Sequence, residues 1–135
     1  MKIDGGCHCG NISFEGEVES NFFGICHCND CQAMTGTAFR AVVQVPAKAF
    51  TLRGTPKTYV KTASQSGNRS VSAFCDNCGS PIYSCAVGDP PIYRLRLGVI
   101  RQRAAFLPRM QIWKGSAFSW INSLADVPAF ECNPT

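Results

Sequence analysis

Apolar and polar residues alternate along much of the chain with a period of two. In residues 11–19, Ile12, Phe14, Gly16 and Val18 fall on one side, and Ser13, Glu15, Glu17 and Glu19 on the other. Successive side chains of an extended chain point to opposite faces, so this stretch predicts a half-buried strand. Residues 22–25 predict a second, more buried strand that delivers Cys26. Residues 37–45 are rich in β-branched side chains and end at Pro46. Further strands are predicted at 50–52, 58–60, 69–74, 82–87, 92–100 and 109–113, and the run 92–100 alternates most strongly. Turn signals separate them at Gly54-Thr55-Pro56, Gly79-Ser80-Pro81 and Gly88-Asp89-Pro90-Pro91, and residues 63–68 read as a polar loop. One helical turn is expected at 29–34, stopped by Thr35-Gly36. The tail after Trp113 reads as irregular but apolar enough to pack. No long segment carries a helical period, so the pattern predicts an all-β domain.

Composition narrows this picture. A chain of 135 residues builds one core, and no linker or repeat divides it, so a single domain over 1–135 is expected. Charged residues make up 16% and hydrophobic ones 45%, which excludes a disordered chain. No apolar run approaches the ~20 residues of a membrane helix. The first six residues carry no hydrophobic signal core, and a soluble cytoplasmic protein is expected. The net charge of +4 permits attraction to small anions without demanding a nucleic-acid partner.

The cytoplasmic expectation decides how the nine cysteines are read. In a reducing compartment, clustered cysteines bind metal more often than they form disulfides. Seven fall into three clusters: Cys7 and Cys9, then Cys26, Cys28 and Cys31, then Cys75 and Cys78. Cys-x-Cys and Cys-x-x-Cys are metal-ligand spacings. In an extended Cys7-His8-Cys9 the cysteines share a face and His8 takes the other. Structural zinc prefers four tetrahedral ligands, while catalytic zinc keeps three protein ligands and an open position. Seven cysteines divide naturally as Cys7, Cys9, Cys75 and Cys78 against Cys26, Cys28 and Cys31. Spacing leaves another partition open, in which Cys26, Cys28 and Cys31 recruit Cys85, Cys132 or His27 and close. An open three-thiolate zinc is a weak generator of hydroxide and suits a soft fourth ligand, an incoming thiolate.

The motifs Gly5-Gly6-Cys7-x-Cys9-Gly10, Cys26-His27-Cys28-x-x-Cys31-x-x-x-Thr35-Gly36 and Phe74-Cys75-x-x-Cys78-Gly79-Ser80-Pro81, in this order, resemble the glutathione-dependent formaldehyde-activating enzyme family. The resemblance covers residues 5 to about 120. It implies a β-tent of short antiparallel sheets around two zinc ions. It assigns structural zinc to Cys7, Cys9, Cys75 and Cys78, and catalytic zinc to Cys26, Cys28 and Cys31. It implies a carbon–sulfur lyase-type addition of glutathione to formaldehyde, with a small-molecule thiol and aldehyde as partners.

Other features have plainer readings beside functional ones. Five arginines, Arg94, Arg96, Arg101, Arg103 and Arg109, could pair with carboxylates of a peptide thiol, but they read first as the solvated face of a β-hairpin. Nucleic-acid binding is disfavoured because aromatic interleaving is slight. Trp113, Phe118 and Trp120 read as core before they read as a pocket wall. Asp30 is the candidate proton-moving residue, with His27 beside it. Cys85 reads as a buried small hydrophobe and Cys132 as a free thiol. Two competing classes remain. One is a non-enzymatic zinc module for a protein or peptide partner, and the other is a thiol redox sensor. Self-association is left open.

Overall fold

The computed structural model describes residues 1–62, 67 and 69–134. The expected loop at 63–68 lies, apart from Gly67, outside them. The architecture is all-β, with ten strands and one helix among the described residues. A three-stranded sheet has the order β1-β2-β5, formed by β1 (Lys2–Gly6), β2 (Ser13–Glu17) and β5 (Phe50–Arg53). The other seven strands are β3 (Phe22–Cys26), β4 (Arg40–Pro46), β6 (Lys57–Lys61), β7 (Ser70–Phe74), β8 (Pro81–Cys85), β9 (Ile92–Arg96) and β10 (Leu107–Ile112). They form one sheet in the order β10-β3-β4-β9-β8-β7-β6. Every pairing is antiparallel except β10 with β3, which is parallel.

The core lies between the sheets. Ile3, Ile12, Phe14 and Val18 come from the small sheet and its flanks, and meet Val43, Val45, Ile82 and Leu95 from the large one. Phe14, Ile12 and Val18 are buried as the alternation requires. Tyr83 and Tyr93 stack edge to face at 4.8 Å and enclose Phe50, closing the space beneath the strands. Gly5 allows the close approach of the layers, because a Cβ there would collide with the Val99 carbonyl and the Phe14 ring.

Several expected elements end differently. The strand expected over 92–100 stops at Arg96, and Leu97–Val99 form a 3-10 turn. Ile100 donates to the Leu97 carbonyl and still turns into the core, so the turn mimics the burial alternation of a strand. The strand expected from Thr37 starts at Arg40, where pairing with Cys26 begins. The tail is not packed as expected: Trp120, Leu124, Val127 and Phe130 are exposed. It follows the last strand as short 3-10 turns, with no third layer to cover it.

Candidate metal centre

The helix α1 (Asn29–Thr35) sits between β3 and β4 in the chain. Cys28 is its N-cap, accepting a hydrogen bond from the Cys31 backbone N–H at 3.3 Å. Gly36, in the left-handed region at φ 69°, ends it as Thr35-Gly36 predicts. Cys26 closes β3, and the cap and first turn of α1 bring Cys28 and Cys31 to it. The three Sγ atoms lie within 4.8 Å of one another. Cys28 and Cys31 are 3.1 Å apart.

The second group is assembled from two turns distant in sequence. Gly10 and Gly79, both at positive φ, close the turns after Cys9 and Cys78. The Cys7 and Cys9 sulfurs are 3.6 Å apart, and Cys9 and Cys75 are 3.7 Å apart. Cys78 completes the set within 4.8 Å. Tetrahedral zinc with bonds of about 2.3 Å separates its sulfurs by ~3.8 Å, so the donor spacing fits zinc. The backbone N–H of Ile12 donates to the Cys7 sulfur at 3.2 Å, a contact suited to a thiolate. His8 is exposed and joins neither cysteine group, its backbone N–H donating to the Ser80 hydroxyl.

The groups differ electrostatically. In the four-cysteine group, the Asn77 side chain pulls the Cys9 thiol down, and the Ser80 hydroxyl leads in pulling Cys78 to about 5. Backbone hydrogen bonds from Cys78 lower the Cys75 thiol, but burial and the neighbouring thiols carry it to about 11. In the three-cysteine group, burial pushes the Cys26 thiol up and the Cys31 thiol up strongly. Burial also raises Cys28, but hydrogen bonds from Cys31 bring it below the usual range.

The three-cysteine group opens into a cavity of about 500 Å³. Arg40, Lys61, Arg69 and Arg94 line it, and among the described residues no carboxylate does. Gln44, Ser70, Ser84, Cys85 and Trp113 complete its polar and aromatic wall. Trp113 adopts φ 55°, in the left-handed region, where no other described non-glycine residue sits. Its backbone turns there at the end of β10, and its ring borders the cavity.

Several expected roles change on this geometry. Trp113, Phe118 and Trp120 are exposed rather than core, and Phe118 and Trp120 stack on each other at 5.5 Å. The arginines are not one solvated face. Arg96 is buried and donates to the Ser84 hydroxyl, and Arg94 borders the cavity. Arg101 pairs with Asp4, and Arg109 lies over the Phe22 ring. Asp30 pairs with Lys61 at 3.3 Å, so it meets the cavity through a lysine. His27 stands apart from the sulfurs, buried, with Nε2 2.7 Å from the Gln111 side-chain oxygen and its ring edge-on to Phe39. It joins neither cysteine group, nor do Cys85 and Cys132. Cys85 is buried as expected, in the cavity wall.

The family model for the glutathione-dependent formaldehyde-activating enzyme matches residues 2–116. The chain belongs to that family. A crystal structure of a Rhodobacter sphaeroides protein is similar at 17% identity and a TM-score of 0.58. The match covers 78% of this chain and 97% of that one, and shows a shared fold. Formaldehyde-activating family membership and two cysteine groups spaced to hold metal therefore coincide in this chain.

Sequence reading had not singled out Arg40, Lys61 or Arg69. The signal for Arg40 was present. In Arg40-Ala41-Val42-Val43-Gln44-Val45, the apolar face Val43–Val45 leaves Arg40 and Gln44 together on the other face. Lys61 and Arg69 reach the cavity from β6 and from the residue before β7, a placement that depends on tertiary pairing.

Proposed function

We propose that the chain adds a carboxylate-bearing thiol of the glutathione type to formaldehyde or a related small aldehyde, a carbon–sulfur lyase-type reaction. One observation carries the reading. Three mutually facing cysteines open into a cavity lined, among the described residues, by four cationic side chains and no carboxylate. That lining suits an anionic thiol, because guanidinium forks match carboxylates. On this reading Cys7, Cys9, Cys75 and Cys78 hold structural zinc, and Cys26, Cys28 and Cys31 hold catalytic zinc. Bound there, zinc would supply a soft electrophilic centre at which a thiol is held as thiolate at neutral pH.

The chain's own residues perform the rest. Arg94 and Arg69 receive the substrate's carboxylates. Trp113 walls the cavity and limits water. The substrate sulfur forms its bond to the aldehyde carbon, and the carbonyl electron pair moves to oxygen. Water, or Lys61 held by Asp30, delivers the proton to that oxygen. A single domain over residues 1–135 working in a reducing cytoplasm keeps the seven thiols available.

Replacing Cys28 by Ser is expected to abolish thiol-dependent aldehyde turnover above the uncatalysed background. Unchanged turnover would remove the reading. The exposed tail aromatics favour the rival reading of a zinc module that binds a protein partner. That reading requires both metals to be unresponsive to added thiol.

A further inference from the structure

Two arginines are buried on the sheet face that carries Cys26, and among the described residues neither has an acid as ion-pair partner. Arg40 is 9% exposed and Arg96 7% exposed. In the sheet register Arg40 stands opposite Cys26 and Arg96 opposite Val42, so both belong to the face that carries Cys26. The Nε atoms of both are buried without a hydrogen-bond partner. Arg96 donates to the Ser84 hydroxyl at 3.2 Å, and Arg40 reaches the Met34 sulfur at 3.8 Å. No ion pair among the described residues includes either arginine. A buried cation without an anion is strongly unfavourable, and two side by side are worse. The groups placed to offset them are the sulfurs, since Arg40 stands opposite Cys26 and lines the same cavity as Cys26, Cys28 and Cys31.

We infer that Arg40 and Arg96, buried without an acid, are the counter-charges of this pocket and make it select an anionic over a neutral fourth partner for the metal. The inference rests on the proposed function and adds to it the basis of ligand selection. A divalent ion held by three thiolates carries one net negative charge. Two guanidinium groups outweigh that by one positive charge. One incoming thiolate cancels the excess, whereas water, an alcohol or an amine leaves it in place. Burial, and then the like charge of Arg40, push the Arg96 guanidinium down to about 9, which leaves it cationic at neutral pH. Arg40 and Arg96 are thus positioning residues, acting on substrate through sulfur and charge. Arg94 and Arg69 at the cavity wall are left to read the rest of the molecule.

The test uses the full chain loaded with cobalt, whose sulfur-to-metal charge-transfer absorption reports each added thiolate independently of turnover. Wild type, Arg96→Met, Arg40→Met and Arg96→Lys are titrated with 2-mercaptoethanol, which offers a thiol and no carboxylate, and with imidazole, a neutral ligand. Each methionine variant is expected to bind the thiol about tenfold more weakly, with imidazole affinity unchanged and Arg96→Lys close to wild type. Equal thiol affinity in all four proteins overturns the inference and leaves the proposed function standing. A parallel loss of imidazole binding also overturns it, because it marks a merely structural role. No added charge transfer in wild type overturns both readings. A measurement on wild type alone avoids any folding defect of the variants. Thiocyanate, an anion without a thiol, should perturb the cobalt spectrum at lower concentration than imidazole, and the reverse order overturns the inference.

Discussion

Two cysteine groups in one small chain share a donor type and a spacing, yet their surroundings differ in every other respect. Cys7, Cys9, Cys75 and Cys78 join turns 66 residues apart, with Cys7 and Cys75 in the core and Cys9 and Cys78 at the surface. Cys26, Cys28 and Cys31 lie within one strand end and one helical turn, beneath a cavity walled by cations. Four sulfurs complete a tetrahedron, whereas three do not. On the proposed function, the first arrangement spends its ligands on tying the chain together, and the second keeps a position facing the cavity. Ligand chemistry alone does not separate these tasks. Ligand number and the charge around the ligands do.

The widest separation between the groups should appear on losing one sulfur from each. Cys75→Ser is expected to leave little folded protein by circular dichroism, since structural zinc sites of this kind contribute on the order of 10 kcal/mol to folding. Cys28→Ser should remain folded and lose thiol-dependent turnover. If both variants fold equally well, the division of labour is wrong.

Stability can also be lowered on the four-cysteine side without touching a ligand. Gly5→Ala forces a Cβ against the Val99 carbonyl and the Phe14 ring, two residues before Cys7. A loss of about 2–3 kcal/mol in chemical denaturation is expected, with zinc content of the folded fraction unchanged. A neutral substitution would show that the layers can part there.

Acid should empty the groups in sequence. Protons and metal compete for sulfur, so a thiol with a raised pKa gives up metal at a higher pH. Two of three thiols in one group are raised, Cys26 and Cys31, with Cys28 lowered, against one of four in the other, Cys75, where hydrogen bonds lower Cys9 and Cys78. As pH falls, the three-cysteine group should therefore release its ion first, in a separate step visible with a zinc indicator. A single step carrying both ions would contradict the contrast. The smallest effect is expected at the edge of the cavity. Asp30→Asn frees Lys61 without removing it, so turnover should fall less than about tenfold, with KM less affected than kcat. A complete loss would make Asp30 itself the proton carrier.

Much of the fold was legible because its signals are local. The alternation in residues 11–19 and the Thr35-Gly36 stop need only nearest neighbours to be read. The Leu97–Val99 turn escaped because Ile100 re-enters the core at the position an extended strand would have given it. The cysteine groups were legible because ligand spacing survives in sequence. Their electrostatic setting was not, since Arg40 and Arg96 meet only when β4 pairs with β9. Arg96 looked solvated because a buried guanidinium without an acid is a poor expectation until a cluster of thiolates is placed beside it. Trp113 and Trp120 looked like core because large aromatics usually are, and here no layer follows β10 to cover them.

The contrast between the groups is tested most directly by X-ray absorption at the zinc edge, in resting protein and after adding glutathione. Seven cysteines over two ions predict a mean of about 3.5 sulfurs per zinc at rest, rising to about 4 with thiol as only the three-cysteine site responds. A mean of about 4 before thiol is added, unchanged afterwards, would contradict it.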